Sequence, residues 1–366
     1  MKPIPPRKGR GAQSKPDGRY NAETHETTDD GWEPYEHEPD PRTALTIESA
    51  RTIIARNRSP DIPFEQSINP YRGCEHGCIY CYARPTHAYL GLSPGLDFET
   101  RLSAKPDAAE LLRRELSARA YRCSPIALGA NTDPYQPVER RYRITRQILE
   151  VLSELDHPCT ITTKSALVER DIEILAPMAA KGLVQVNISI TTLKPELART
   201  LEPRASSPQR RLQAITKLRE AGISASTMVA PVIPVLTDPE LETILKAAAD
   251  HGAETAEYIL LRLPLEVAGL FEEWLHTHVP GQANHILNRI RDSRGGRSND
   301  PRFGHRLRGE GFYADMIAQR FRIAVRRLGL DKPLKRLETG LFRPGPIQMD
   351  LFLPGSVGIS PKENQN

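Results

Sequence analysis

The sequence predicts an α/β chain whose central part, residues 46–265, is a parallel barrel or partial barrel of six βα units. Three observations lead there. Short apolar runs alternate with helix-period stripes from residue 64 onward, and the runs are apolar on both faces, as in parallel strands covered on each side. Gly182, Gly222 and Gly252 stand where a helix should end and a strand begin, which suits a left-handed helix terminus. Strands alternating with helices leave few other packings, an open doubly wound sheet being the alternative.

Taken in order, residues 1–45 read as a mobile charged tail. Residues 1–20 carry six Lys/Arg against Asp17, and the stretch from Glu23 to Asp40 carries eight acids. Such a segment buries too little apolar surface to offset the entropy of ordering. The strand candidates are Glu65–Asn69, Pro125–Ala130, Cys159–Thr163, Leu183–Ile190, Ile223–Ala230 and Ala256–Leu261. Ile144, Ile148, Val151, Leu152 and Leu155 mark one helical stripe, and Leu212, Ile215 and Leu218 another. A barrel of this kind gathers ligands at the carboxyl ends of its strands. Residues 266–340 read as a basic helical extension. Between 284 and 343 there are fifteen Lys/Arg, mostly Arg, against six acids, a net of +9. Planar guanidinium groups suit phosphate, so the extension points to a polyanion and to nucleic acid first, with a solvated basic face as the alternative. Residues 341–366 read as a flexible tail.

Composition narrows the function classes. The chain is 39% apolar and 26% charged, with no apolar run near the roughly 18 residues of a membrane span and no secretory pattern at its start, so a cytoplasmic protein without a membrane partner is expected. Proline is frequent, 32 of 366 residues, which implies long connections. The five cysteines are an odd number, and Cys74, Cys78 and Cys81 fall within one loop, Gly73-Cys74-Glu75-His76-Gly77-Cys78-Ile79-Tyr80-Cys81-Tyr82. That clustering is a metal site in a reducing compartment rather than a disulfide framework. Three thiolates suit a cubane iron–sulfur cluster with one iron left open. Zinc would need a fourth donor, such as His76, Cys123 or Cys159, and stays open as the alternative.

The CxxxCxxC spacing, with an aromatic before the third Cys, resembles the radical S-adenosylmethionine (SAM) superfamily. The surrounding Tyr71-Arg72-Gly73-Cys74 and Cys81-Tyr82-Ala83-Arg84 resemble its spore photoproduct lyase-like branch. The resemblance implies a [4Fe–4S] cluster held by Cys74, Cys78 and Cys81, with SAM chelating the open iron. It also implies reductive cleavage of SAM to methionine and a 5′-deoxyadenosyl radical, and an electron donor such as flavodoxin or ferredoxin. Carried over position by position, Tyr80 falls near the adenine. Thr132 and Asp133, in Gly129-Ala130-Asn131-Thr132-Asp133, fall in the segment that binds the SAM amino group. Lys164 falls where a basic residue reaches the SAM carboxylate, and Asn187 and Ser189 fall near the ribose or carboxylate. Ordinary capping and turn formation is the competing role for each of these polar strand ends. One position departs from the branch: Ala130 stands where spore photoproduct lyases place a hydrogen-donating cysteine. Photoproduct reversal is therefore not implied, and Cys123 and Cys159 are the remaining candidates for a catalytic thiol, provided they point inward.

Near the C-terminus, Gln348-Met349-Asp350-Leu351-Phe352 lies between Pro/Gly stretches and resembles the bacterial sliding-clamp-binding peptide. In that reading Gln348 makes polar contacts while Leu351 and Phe352 enter a pocket; a tail folding back on its own domain is the other. Together these features predict a radical SAM enzyme acting on nucleic acid, with DNA repair as one such role. A tRNA base, a peptide or a small molecule as substrate, or a non-catalytic zinc module, are the alternatives.

Overall fold

A computed structural model describes residues 7–21, 42–333 and 335–345. The clamp-like residues Gln348, Leu351 and Phe352 lie outside the described residues. The strands are β1 (Ala44–Ile47), β2 (Ile54–Arg56), β3 (Gln66–Ile68), β4 (Tyr71–Arg72), β5 (Arg101–Ala104), β6 (Ile126–Leu128), β7 (Cys159–Thr163), β8 (Val184–Ser189), β9 (Ser224–Val232) and β10 (Ala256–Leu260). Seven form one sheet in the order β10-β9-β8-β7-β6-β3-β2, parallel except for β2 at the edge. The ends of that order do not pair, so the six parallel strands form a partial barrel. All six expected strands are present, each within a few residues of its expected bounds.

Helices follow each strand because their apolar stripes match the sheet. Ile144–Glu154 buries Ile144, Ile148, Leu149, Val151 and Leu152 against it. Pro208–Glu220 opens with Ser207 capping the Arg210 N–H at 3.4 Å and Pro208 in the first turn, then buries Leu212, Ile215 and Leu218. Gly182, Gly222 and Gly252 take φ of +69°, +75° and +92°, the left-handed turn expected between helix and strand.

The β10 edge is covered rather than open. Leu260 N–H donates to Leu307 at 2.9 Å, Leu263 N–H to Ser298 at 3.2 Å and Ala256 N–H to Leu330 at 3.2 Å. These contacts fix the direction of the helix Phe312–Leu328, which runs back toward the amino-terminal ends of the strands. Exposed Arg326, Arg327 and Lys332 therefore lie at the opposite end from the cysteine loop. Other charges of the basic stretch are neutralised: Arg302 by Asp300 and Glu310, Arg306 by Asp61, Arg308 by Glu257 and Arg320 by Glu242. The +9 stretch holds two helices, Ala283–Asp292 and Phe312–Leu328, joined by the irregular segment 293–311, and it does not form one continuous basic face.

Two segments pack differently from the expected tail and extension. Residues 7–21 are not a loose tail, because Ala12 and Gln13 are buried and Ser14 bonds Glu273 at 2.6 Å. Arg19 pairs with Glu266 at 2.9 Å. Ala12 shares an apolar cluster with Cys78, Ile79, Tyr80, Leu201, Phe271 and Trp274. The helix Val267–His278 thus belongs to the core around the cysteine loop and not to a separate extension. Sequence composition missed this because a few small residues, Gly11 and Ala12, dock where long apolar side chains are absent.

Candidate active site

The cysteine loop begins just after β4 and is held from several elements at once. Cys74 N–H donates to Phe98 at 2.9 Å, Ile79 N–H to Leu201 at 3.1 Å and Glu75 N–H to Gln136 Oε1 at 2.9 Å. The Gly73 carbonyl accepts from Thr132 Oγ1 at 2.6 Å and Gln136 Nε2 at 3.3 Å. Beneath the loop, the fully buried Arg84 donates to the carbonyls of Cys78, Gly77, Pro94 and Gly95 and to Glu99 Oε1 at 2.5 Å. Glu99, also fully buried, accepts the N–H groups of Gly11 at 3.0 Å and Ala12 at 2.8 Å. At Gly11 a Cβ would stand 1.8 Å from the Gly77 carbonyl oxygen, so only glycine lets the N-terminal segment lie flush on the loop.

The other elements deliver their ends to the same face. At Gly129, after β6, φ is +101° and a Cβ would meet the Thr162 carbonyl at 2.2 Å, so the β6 turn fits tightly on β7. Asp133 follows that turn. It accepts Thr163 Oγ1 at 2.6 Å, Lys164 N–H at 2.7 Å and Tyr135 N–H at 2.9 Å, and meets His76 Nδ1 at 3.2 Å. Burial alone would raise its carboxyl, but His76 and these donors hold it at about 2. Tyr80 hydrogen-bonds Glu202, with Thr191 at 3.2 Å, and Glu202 pairs with the buried Arg211. Burial opposes the charge on Glu202, yet Arg211 and Lys164 bring its carboxyl to about 2. Lys164 Nζ stands 5.8 Å from the centre of the Tyr80 ring, and among the described residues it makes no hydrogen bond or ion pair. Asn187 and Ser189 lie two residues apart on β8, hence on one face at its carboxyl end.

The fold therefore brings together Cys74, Cys78, Cys81, Tyr80, Thr132, Asp133, Lys164, Asn187 and Ser189 at the carboxyl ends of the strands. Two expected assignments change. All four lone-pair directions of Asp133 are used within the protein and Thr132 is tied to Gly73, so both position the loop instead of standing free for a SAM amino group. Cys123 and Cys159 are at the wrong end. Cys159 opens β7 in register with Ile126 and Val184, about 13 Å of strand from Thr163, and Cys123 precedes β6 at that same end. Burial lifts their thiols to about 12 and about 11. Neither can serve as hydrogen donor or fourth ligand at the loop.

The donor set fits an iron–sulfur cluster. All three cysteines are free, with Cys74 and Cys78 buried. Burial raises the Cys74 thiol well above its ordinary range and Cys78 to about 12, and a bound metal centre would displace their protons. Among the described residues, the group of three donors close enough to share a single ion is Asp300, His305 and Glu310, not the cysteines, and Arg302 already sits between Asp300 and Glu310. Three thiols more widely set suit a multi-iron group better than one tetrahedral zinc.

The sequence profile of the Radical SAM superfamily matches residues 68–248, the span from β3 through the helix after β9. The chain belongs to the radical SAM superfamily. Its cofactors are a [4Fe–4S] cluster and SAM. It is 40% identical over 236 residues to an uncharacterized protein of Mycobacterium tuberculosis, covering 63% of this chain and 69% of that one. It is 27% identical over 194 residues, 52% of this chain and 38% of the other, to a radical SAM Nalpha-GlyT isomerase of Pseudomonas phage M6. A spore photoproduct lyase mutant with bound AdoMet and dinucleoside spore photoproduct has the same fold, with a TM-score of 0.55 at 16% identity over 78% of this chain and 79% of that one. Among the described residues no helix is long and apolar enough to cross a membrane.

Sequence reasoning gave Arg84 no role beyond its place in Cys81-Tyr82-Ala83-Arg84, and missed Glu99, Gln136, Glu202 and Arg211. Arg84 carried a signal, being an arginine three residues past the last cysteine in an otherwise apolar stretch. Glu202 and Arg211 carried none, since their pairing joins a loop to a helix nine positions on.

Proposed function

We propose that this radical SAM protein is an enzyme acting on nucleic acid, with DNA repair as its setting. The observation that carries the chemistry is the set of three unbridged cysteines at the carboxyl ends of the strands, beside a Lys164 ammonium with no bonded partner among the described residues. Cys74, Cys78 and Cys81 would hold the cluster, and Lys164 would receive the SAM carboxylate. Tyr80, fixed by Glu202 and Thr191, would border the adenine, with Asn187 and Ser189 on the ribose side. When bound, the cluster and SAM supply hydrogen abstraction through one-electron cleavage of SAM, with flavodoxin or ferredoxin as electron donor. The protein's part is to hold the loop rigid through Arg84 and Asp133 and to exclude water with the segment 7–21.

A nucleic-acid substrate is supported by the fold neighbour, whose bound molecule is a dinucleoside. After anaerobic reconstitution and addition of dithionite, release of 5′-deoxyadenosine should rise with DNA present, and deuterium from labelled DNA should enter it. Cluster-loaded protein that never cleaves SAM would overturn the enzyme reading; cleavage indifferent to DNA and RNA would overturn the substrate. The peptide Gln348–Phe352 is proposed as a sliding-clamp contact. A clamp pull-down unchanged by Leu351→Ala with Phe352→Ala would remove that partner.

A further inference from the structure

Tyr80 and Tyr82 flank Cys81, and each carries a cation on its ring. Lys164 Nζ is 5.8 Å from the Tyr80 centroid, while the Arg262 guanidinium is 4.8 Å from that of Tyr82. Lys164 comes from the end of β7 and Arg262 from the end of β10, three strand positions away, or about 14 Å. One small anion cannot serve both. With the SAM carboxylate at Lys164, Arg262 is left over.

Its surroundings do not neutralise it. Arg262 is partly buried, and among the described residues its guanidinium makes no hydrogen bond or ion pair. Arg294 and Arg306 are close enough to repel it, and the carboxylate within range, Asp61, is already bonded to Arg306 at 2.6 Å. Arg294 is fixed on the carbonyls of Leu260, Leu261, His305 and Arg306. The half-desolvated guanidinium is held near two others with the Tyr82 ring and the Cys81 sulfur as favourable neighbours but no carboxylate of its own, and Arg does not shed its proton to escape. The Tyr82 ring under it is 45% exposed, and the neighbouring Arg306 lies over a second exposed ring, Phe303 at 59%, at 5.0 Å. Tyr82 is locked by its hydroxyl on the Ala130 carbonyl, so its ring is a fixed platform at the barrel mouth.

We propose that Arg262 and Tyr82 form the substrate-side anion site of this protein, Arg262 receiving a phosphodiester of an unstacked nucleotide while Tyr82 and Phe303 offer their faces to its base. The pairing of free guanidinium with exposed aromatic faces is what single-stranded or extruded nucleotides require. This rests on the nucleic-acid reading above and adds where the strand lies: on the β10 side of Cys81, away from Lys164.

The test uses the full chain, reconstituted anaerobically, with fluorescein-labelled single-stranded DNA and RNA 12-mers and an acidic peptide of equal charge. The wild-type chain should bind an oligonucleotide and not the peptide; a preference for DNA or RNA names the polymer and supports the site either way. Arg262→Met should weaken binding about tenfold and reduce the salt slope by about 0.7, the equivalent of one phosphate on a single strand. Arg262→Lys should keep the slope with only a few-fold loss. Iron content and melting temperature check the fold of each variant. Independently of any variant, ultraviolet cross-linking of a 5-bromouracil oligonucleotide to the wild-type chain should map to peptides carrying Tyr82 or Phe303. If wild-type protein binds oligonucleotide but Arg262→Met binds equally well with the same slope, or cross-links lie elsewhere, the site is wrong and the nucleic-acid reading stands. If wild-type protein binds neither oligonucleotide, both fall. Arg262-dependent binding of the peptide as tight as that of the oligonucleotides overturns the phosphodiester class.

Discussion

The cysteine loop and the rim beside β10 meet at Cys81 and are built in opposite ways. On the loop side the buried charges are matched: Arg84 pairs with Glu99 and Arg211 with Glu202, and Asp133 is satisfied by Thr163, Lys164 N–H, Tyr135 N–H and the His76 ring. On the rim the guanidinium groups outnumber the carboxylates, and the Arg262 guanidinium, over the Tyr82 ring, makes no hydrogen bond or ion pair among the described residues. The difference separates two tasks. A loop that must present three ligands in one geometry gains from saturation, since every unmatched buried group would pull it elsewhere. A surface that exchanges a charged ligand needs charge left over.

Breaking the saturated side should have the largest effect. Glu99→Leu strands the Arg84 charge and frees the Gly11 and Ala12 N–H groups. It should cost about 3–5 kcal/mol, visible as a lower melting temperature and loss of iron, with partial recovery in the Arg84→Met/Glu99→Leu double variant. The next effect depends on pH. Glu202 is held at about 2, below its ordinary 4.5, so it contributes stability above pH 4.5 that is lost as pH falls toward 2, on the order of 3 kcal/mol in all. Denaturant melts of Glu202→Gln should lack that part of the acid limb. Gly11→Val drives a side chain into the Gly77 carbonyl and should destabilise by about 2 kcal/mol, with faster loss of iron in air than in the wild-type protein. If the cluster is retained as well as in wild type, the N-terminal segment does not support the loop. The smallest effects should come from the amino ends of the strands. Cys123→Ala and Cys159→Ala should each cost no more than about 1.5 kcal/mol and leave the amount of 5′-deoxyadenosine formed unchanged. Loss of turnover there would contradict their placement.

Much of this comparison was legible in advance, though unevenly. Cys74, Cys78 and Cys81 and the six strands are local patterns: a short loop has few ways to arrange three thiols, and an apolar run between turns has few fates. Lys164, Asn187 and Ser189 follow, because strand ends in a parallel sheet share one face. The role of Asp133 was misread, since a carboxylate at a strand end looks alike whether it faces a ligand or accepts four bonds from its neighbours. The basic stretch was misread for a similar reason: a summed charge of +9 does not record that Asp61, 245 positions from Arg306, neutralises it, or that Arg326 and Arg327 turn toward the far end of the barrel.

The sequence by itself determined the donor set, the strand–helix alternation and hence the radical SAM architecture, because spacing and periodicity act over a few residues. Tertiary structure alone decided which charges are matched, that the segment 7–21 closes on the cysteine loop, and that Arg262 at the mouth makes no ion pair among the described residues. Coulomb energy and packing depend on distances in space, and the partners that set those distances lie far apart along the chain.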